Sequence, residues 1–388
     1  MFSLFQRKKS PLSHGSIREK NFKEQLSFRD DGGLILIDLT ITNHTYTFML
    51  DSGAFSVVPS SLLELGVLEP LEESIYTRST TKVEQESQLY RLSQLSLAGI
   101  HFEDFSVIVD DFAYEFPLSC LGFDGILGYN FLEKFILEID YQKKSLILSD
   151  TLSDKREHTE IKLHINETNA PSFKIAYKKK SYLVGLDSGK NDGLMINDTA
   201  LIKELENSDT FLERIMGTFS SDFNGLNQHS FIDKYLFKDF KIDGKIPIES
   251  ATLLHEEGSV NIAGNEFLSH FHIILHLQKK RLYLRKLDAS SEVRGREDFG
   301  FITFWSEEKR LFIAAIVQGS PAYHSKLKIG DKIMSINELD TLNFSQEEYC
   351  KHTLRSKRVM LYDEDDTELS IIVKRDGKLI REQLSLSL

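Results

Sequence analysis

The tripeptide Asp51-Ser52-Gly53 recurs as Asp187-Ser188-Gly189, an offset of 136 (51 to 187). A second block keeps that offset. Gly125-Ile126-Leu127-Gly128-Tyr129-Asn130-Phe131-Leu132 aligns with Asn261-Ile262-Ala263-Gly264-Asn265-Glu266-Phe267-Leu268, and the match continues through Leu148 and Leu284. Asp, Ser and Gly are ordinary turn residues, so the tripeptide alone would say little. Two separated blocks in one register mean that a whole domain is duplicated.

Each copy reads as strand. Leu34–Ile41 is β-rich, Asn43-His44 suits a turn, and Tyr46–Leu50 follows as a second strand. Phe105–Val109 and Phe135–Ile139 have the same character, and Tyr141–Ser145 is a polar hairpin leading into Leu146–Leu148. Short helices are expected at Pro59–Leu65 and Asn197–Glu206, the second capped by Asp198 or Thr199. His270 and His272 alternate with Phe271 and Ile273, as on one face of a strand.

With 388 residues the chain can bury several cores. A net charge of −12 without a basic stripe argues against a nucleic-acid surface. Met1–Arg7 lacks the apolar core of a signal peptide, and no stretch approaches the ~18 apolar residues of a membrane span. As written, the chain is expected to be cytoplasmic, or periplasmic if a leader was removed. Cys120 and Cys350 form no C-x-x-C pair, which predicts buried or idle thiols rather than a disulfide framework or zinc site. No metal and no cofactor is implied.

The run Phe48-Met49-Leu50-Asp51-Ser52-Gly53-Ala54 resembles the apolar-apolar-Asp-(Thr/Ser)-Gly-Ala signature of pepsin- and retropepsin-like aspartic peptidases. Asp124-Gly125-Ile126-Leu127-Gly128 resembles the apolar-apolar-Gly segment that passes beneath the Asp loop in that family, and Val260–Gly264 is its looser copy. The resemblance implies a mostly β chain with two duplicated acid-protease β-barrel lobes, forming a bilobal aspartic endopeptidase of bacterial type. It implies Asp51 and Asp187 as a catalytic pair acting on peptide or protein substrates. Ser52, Gly53, Ser188 and Gly189 would support the pair: the hydroxyls bond across to the opposite lobe, and the glycines approach the carboxylates closely.

Lys190 departs from the family, which normally places Ala, Ser or Thr there. Its ammonium either lowers the pKa of Asp187 or plugs the site, giving a catalytically impaired pseudopeptidase that only binds peptides, or else it points into the cleft and favours acidic substrates. The flap expected at Thr77–Gln88 contains no glycine. Gly217 and Gly225 flank a segment of lobe two that reads as a more mobile loop.

From Asp298 onward the chain resembles a bacterial PDZ domain, a partly open β-barrel with helices. Gln318-Gly319-Ser320-Pro321-Ala322 and Leu327-Lys328-Ile329-Gly330-Asp331-Lys332-Ile333 carry the resemblance, followed by a helix around Ser345–Thr353 and a closing hairpin at Val373–Lys378. Phe299, Gly300, Phe301 and Ile302 stand at the carboxylate loop, which implies binding of C-terminal peptides by strand addition. The polar stretches Ser149–Glu160 and Leu287–Asp298 then divide the chain. An N-terminal arm spans 1–25, lobe one 26–150, lobe two 151–288, and an independently folding PDZ domain 296–388.

Overall fold

The structure, a computed structural model, describes residues 14–386 apart from 79–83, 112–117, 153, 166–169, 218–219, 223–224, 228–230, 288–297, 307, 309, 338, 356–361 and 363–365. It is mostly β, with two barrel-like lobes and a C-terminal PDZ domain. The strands follow the apolar runs. Leu34–Ile41 pairs antiparallel with His44–Leu50 through a turn in which Thr42 and Asn43 have positive φ. The expected helices form as Ser61–Glu64 and Thr199–Glu206. In the second, Asp198 is the cap and its carboxylate accepts the Leu201 N–H at 2.7 Å.

The lobes join through a six-stranded sheet to which both contribute. Ile136–Asp140 of lobe one pairs antiparallel with Phe271–His276 of lobe two, with Leu137 opposite Leu275, Glu138 opposite Ile274 and Ile139 opposite Ile273. Glu138 and Ile274 are themselves 136 residues apart, so they are equivalent positions facing each other. The approximate two-fold axis passes between them, and the sequence repeat becomes a symmetry of the molecule. One continuous apolar core runs through both lobes, from Ile35 and Phe102 to Phe237 and Leu282.

Part of the expected loose N-terminal arm is built into sheets. Ser16–Ile17 pairs with Phe102 and Glu103, and Lys23–Ser27 forms the edge of the six-stranded sheet against Ser145–Ser149. Residues 1–13 lie outside the described residues.

The PDZ domain has its own core, which includes Phe299, Trp305, Ile313, Ile333, Tyr349 and Leu369. Its helix is Gln346–Arg355, and its closing hairpin joins Glu368–Arg375 to Lys378–Ser385. The domain does not stand apart, however. Phe211–Gly217 of lobe two adds to its sheet, with Ile215, Met216 and Gly217 opposite Val317, Ile316 and Ala315, and the Gln318 N–H donates to the Arg214 carbonyl at 2.8 Å.

A second tie corrects the expectation of idle thiols. Cys120 of lobe one and Cys350 on the PDZ helix form a disulfide, and Cys120 sits in the PDZ core. Beside it Gln346 Nε2 donates to Ser119 Oγ at 2.8 Å. The independent domain read from the polar stretch Leu287–Asp298 is therefore bonded to both lobes. Most of that stretch lies outside the described residues.

Candidate active site

Each Asp-Ser-Gly turn follows a strand that starts exposed and ends on a buried leucine, His44–Leu50 in lobe one and Lys180–Leu186 in lobe two. The strand beneath each turn fixes its height. The Asp51 N–H donates to the Leu127 carbonyl at 3.0 Å, and the Asp187 N–H to the Ala263 carbonyl at 3.1 Å. Leu127 and Ala263 are again 136 apart, so the looser Val260–Gly264 copy does the same structural work as Asp124–Gly128.

The two turns meet across the lobe boundary through their serines. The Ser52 N–H donates to Ser188 Oγ at 3.0 Å, and the Ser188 N–H to Ser52 Oγ at 3.1 Å. Each hydroxyl then donates onward into the opposite lobe, Ser52 Oγ to the Leu186 carbonyl at 2.8 Å and Ser188 Oγ to the Leu50 carbonyl at 2.9 Å. Both serines are buried. Removing either hydroxyl would strand a buried N–H and a buried carbonyl, at about 1–3 kcal/mol for each group left unpaired.

The glycines follow from how closely the turns approach. A Cβ on Gly189 would lie 2.2 Å from Asp51 Oδ2, and one on Gly53 would lie 3.0 Å from Asp187 Cγ. Each glycine thus backs onto the carboxylate of the other lobe. Asp51 Oδ1 accepts the N–H groups of Gly53 at 2.7 Å and Ala54 at 3.0 Å, while Asp187 Oδ1 accepts that of Gly189 at 3.0 Å. The two carboxyl groups are close enough for each to bear on the other's ionisation.

Burial, and then the charge of Asp187, holds the Asp51 carboxyl well above the usual carboxylate range. Burial raises Asp187 too, against the opposing pull of the Lys190 charge and the Gly189 amide. Two desolvated carboxyl groups this close cannot both ionise cheaply, so the arrangement favours one shared proton; aspartic proteases are the general example of this behaviour.

Lys190 does not stand free. Its Nζ lies 2.7 Å from Asp192 Oδ2, with the lysine side chain only 19% exposed. Burial lowers the ammonium's pKa, but Asp192, Asp187 and Glu256 outweigh it and the net shift is upward, so Lys190 stays charged. Lys190 and Asp192 occupy the places of Ala54 and Ser56 in lobe one, each 136 residues earlier. Asp192 was missed in the sequence, although its signal was there: an acid two residues after the anomalous lysine, where the other lobe has serine.

The same turn is locked from below. Asn265 donates from its backbone to the Lys190 carbonyl at 2.7 Å, and from Nδ2 to the Ser188 carbonyl at 2.7 Å and the Gly33 carbonyl at 2.9 Å. Asn191 Nδ2 reaches the Gly32 carbonyl at 3.0 Å. Lobe one's Gly32-Gly33 turn is thereby pinned to lobe two beside the carboxyl pair.

The expected flap is a hairpin of Leu68–Arg78 with Glu84–Leu97, whose tip at 79–83 lies outside the described residues. In lobe two Gly217 is no loop hinge. It pairs with Ala315, and a Cβ there would lie 2.4 Å from the Ala314 carbonyl oxygen. Gly225 begins a small hairpin strand, Gly225–Asn227, against Ser220–Asp222.

In the PDZ domain Gly300 has φ +78°, and its N–H donates to Asp298 Oδ1 at 2.8 Å. Phe299 and Phe301 are buried, and Phe301 and Ile302 begin the strand Phe301–Ser306. Among the described residues no cluster of His, Cys, Asp or Glu is arranged to hold a metal ion, and no helix is long and apolar enough to cross a membrane.

Residues 37–131 match the model of an aspartyl protease family, and residues 290–361 match that of the PDZ domain. Among solved structures, an aspartic proteinase from Irpex lacteus is similar at 14% identity and a TM-score of 0.45, over 70% of this chain and 99% of that one. No curated protein matches the chain.

Proposed function

We propose that this chain, in which a retropepsin-like aspartyl protease segment is joined to a PDZ domain, is an endopeptidase that hydrolyses peptide bonds with water activated between Asp51 and Asp187. The observation that carries the reading is the reciprocal serine bonding at the base of the two Asp turns, which presents two carboxyl groups to each other in a buried setting. With one proton between them, the ionised carboxyl takes a proton from water as the water attacks the peptide carbonyl. The protonated carboxyl donates a hydrogen bond to that carbonyl oxygen, and the pair then returns a proton to the leaving amine. Strand addition at the PDZ domain would recruit or orient polypeptide for the cleft.

Lys190 supports a second reading. A cation close enough to lower the Asp187 carboxyl also favours a doubly ionised pair, in which no proton is left to polarise the carbonyl. The chain would then bind peptides without cutting them.

Asp51→Asn and Asp187→Asn separate the two. Under the peptidase reading each lowers kcat on an unstructured protein substrate by about a hundred- to ten-thousandfold, and the double variant is little worse than either. Undiminished cleavage by one single variant would overturn the pairing. No cleavage by the unsubstituted chain between pH 3 and 8 would leave the binding reading standing.

A further inference from the structure

A PDZ domain that reads C-termini holds the ligand's carboxylate on the backbone amides of the loop ahead of its edge strand. In this chain the corresponding loop already contains a carboxylate. The Gly300 N–H, at the middle of Phe299–Ile302, donates at 2.8 Å to Asp298 Oδ1, and Asp298 is 6% exposed. We propose that Asp298 occupies the carboxylate position, so the groove accepts an extended internal segment of a polypeptide in place of a free C-terminus. The inference rests on the reading of this domain as a peptide-binding module and names what it binds.

The loop is fixed in this state. The Phe299 carbonyl accepts the Ala322 N–H at 2.9 Å, and the Gly300 carbonyl accepts the Val317 N–H at 2.8 Å. Gly300 lies so close to Ser320 that a Cβ on it would come within 2.0 Å of the serine Cβ. The amide cannot swing toward a ligand without breaking these bonds. An incoming carboxylate would also have to sit beside Asp298 in a buried place, where like charges repel strongly.

An internal segment meets neither obstacle, because it brings only backbone N–H and C=O groups. The edge it needs is there for a segment that displaces the Tyr349 hydroxyl, which donates to the Thr303 carbonyl at 2.9 Å. Phe301–Ser306 pairs with Arg310–Val317 on one side and with no other strand among the described residues. Since the Gly300 carbonyl faces Val317, the alternation of an antiparallel ladder turns the N–H and C=O of Phe301 to the side away from Arg310–Val317. The helix Gln346–Arg355, which carries Tyr349, is anchored to lobe one by the Cys120–Cys350 disulfide.

The test is a binding selection on the full-length Asp51→Asn chain, chosen so that probes are not cut. It is panned against two displayed libraries of random heptapeptides, one ending in a free carboxylate and one continued by a fixed extension. Selected peptides are then made as free acid and as C-terminal amide. Binders are expected from the extended library, with acid and amide affinities agreeing within about twofold, and Asp298→Ala is expected to strengthen acid binding by about tenfold or more while leaving the amide unchanged. If Asp298→Ala fails to fold, Asp298→Asn, which removes the charge and keeps the shape, takes its place with the same expected outcome. Binders drawn from the free-carboxylate library that lose about tenfold or more on amidation would overturn the proposal, and so would binders from neither library. Binding by a chain whose unsubstituted form cleaves nothing would sink the peptidase reading and leave this one intact.

Discussion

Lys190 and Asp192 replace Ala54 and Ser56 of the other lobe as a pair, the lysine's charge lowering the Asp187 carboxyl and Asp192 holding the lysine. The acid limb of kcat/KM reports formation of the singly ionised carboxyl pair. Lys190→Ala removes a cation that favours ionised Asp187, so that limb should move to higher pH. Asp192→Asn leaves the ammonium without its 2.7 Å partner, so the limb should move to lower pH. A pH–rate series on one peptide checks both signs, and shifts in the same direction would show that Asp192 does not govern the lysine. Acidic substrates extend the measurement. If Lys190 also contacts substrate, Lys190→Ala should raise KM selectively for peptides with Asp or Glu, leaving neutral peptides unaffected.

At the scale of elements, a histidine pair lies against the six-stranded sheet between the lobes, His158 just ahead of the strand Thr159–Lys162 with its Nε2 2.9 Å from Nδ1 of His272 in Phe271–His276. Burial first, then the charges of His272 and Arg285, push His158 down to about 4, and burial lowers His272 as well. Both are held neutral in the fold below the ordinary imidazole range, so the stability they contribute is complete above pH ~6.5 and is lost as pH falls through about 4. Melting temperature should therefore drop across that window, and His158→Gln should drop less; equal slopes would remove the pair from the acid response. An enzyme working at the acid end would meet this limit in its own scaffold.

Much of that scaffold was legible from the offset of 136. The repeat located both Asp turns, the strands beneath them, the serines that bond across and the strands Ile136–Asp140 and Phe271–His276 that meet on the axis. What stayed hidden depended on contacts with no local pattern. Cys120 and Cys350 are 230 residues apart and carry no spacing motif. Gly217 reads as a loop glycine until the strand opposite it proves to belong to another domain. Lys23–Ser27, a polar segment, becomes a sheet edge only because Ser145–Ser149 offers it one.

At the scale of the whole molecule, the PDZ domain shields two features of the lobes, the edge of Phe211–Gly217 and the apolar setting of Cys120. An exposed strand edge is a template for association with other chains. A chain ending at residue 287 is therefore expected to aggregate, as read by light scattering, where an independent domain would leave a soluble monomer. Cys350→Ser tests the other tie. With the strand pairing intact it should lower unfolding stability by about 2–4 kcal/mol under non-reducing conditions, and a reductant should have the same effect on the parent chain and none on the variant.

The disulfide has a topological meaning as well. Cys120 and Cys350 close most of the polypeptide into a covalent ring, with residues 1–119 and 351–388 as its two tails. A single backbone cut anywhere between the two cysteines opens the ring but separates nothing, because the pieces remain one molecule through sulfur. Such a nick, whether made by another chain of the same kind or by a foreign protease, adds one water and frees no fragment until a thiol reduces the bond. Release of the PDZ segment thus requires two events of different chemistry, hydrolysis and reduction, and neither alone suffices.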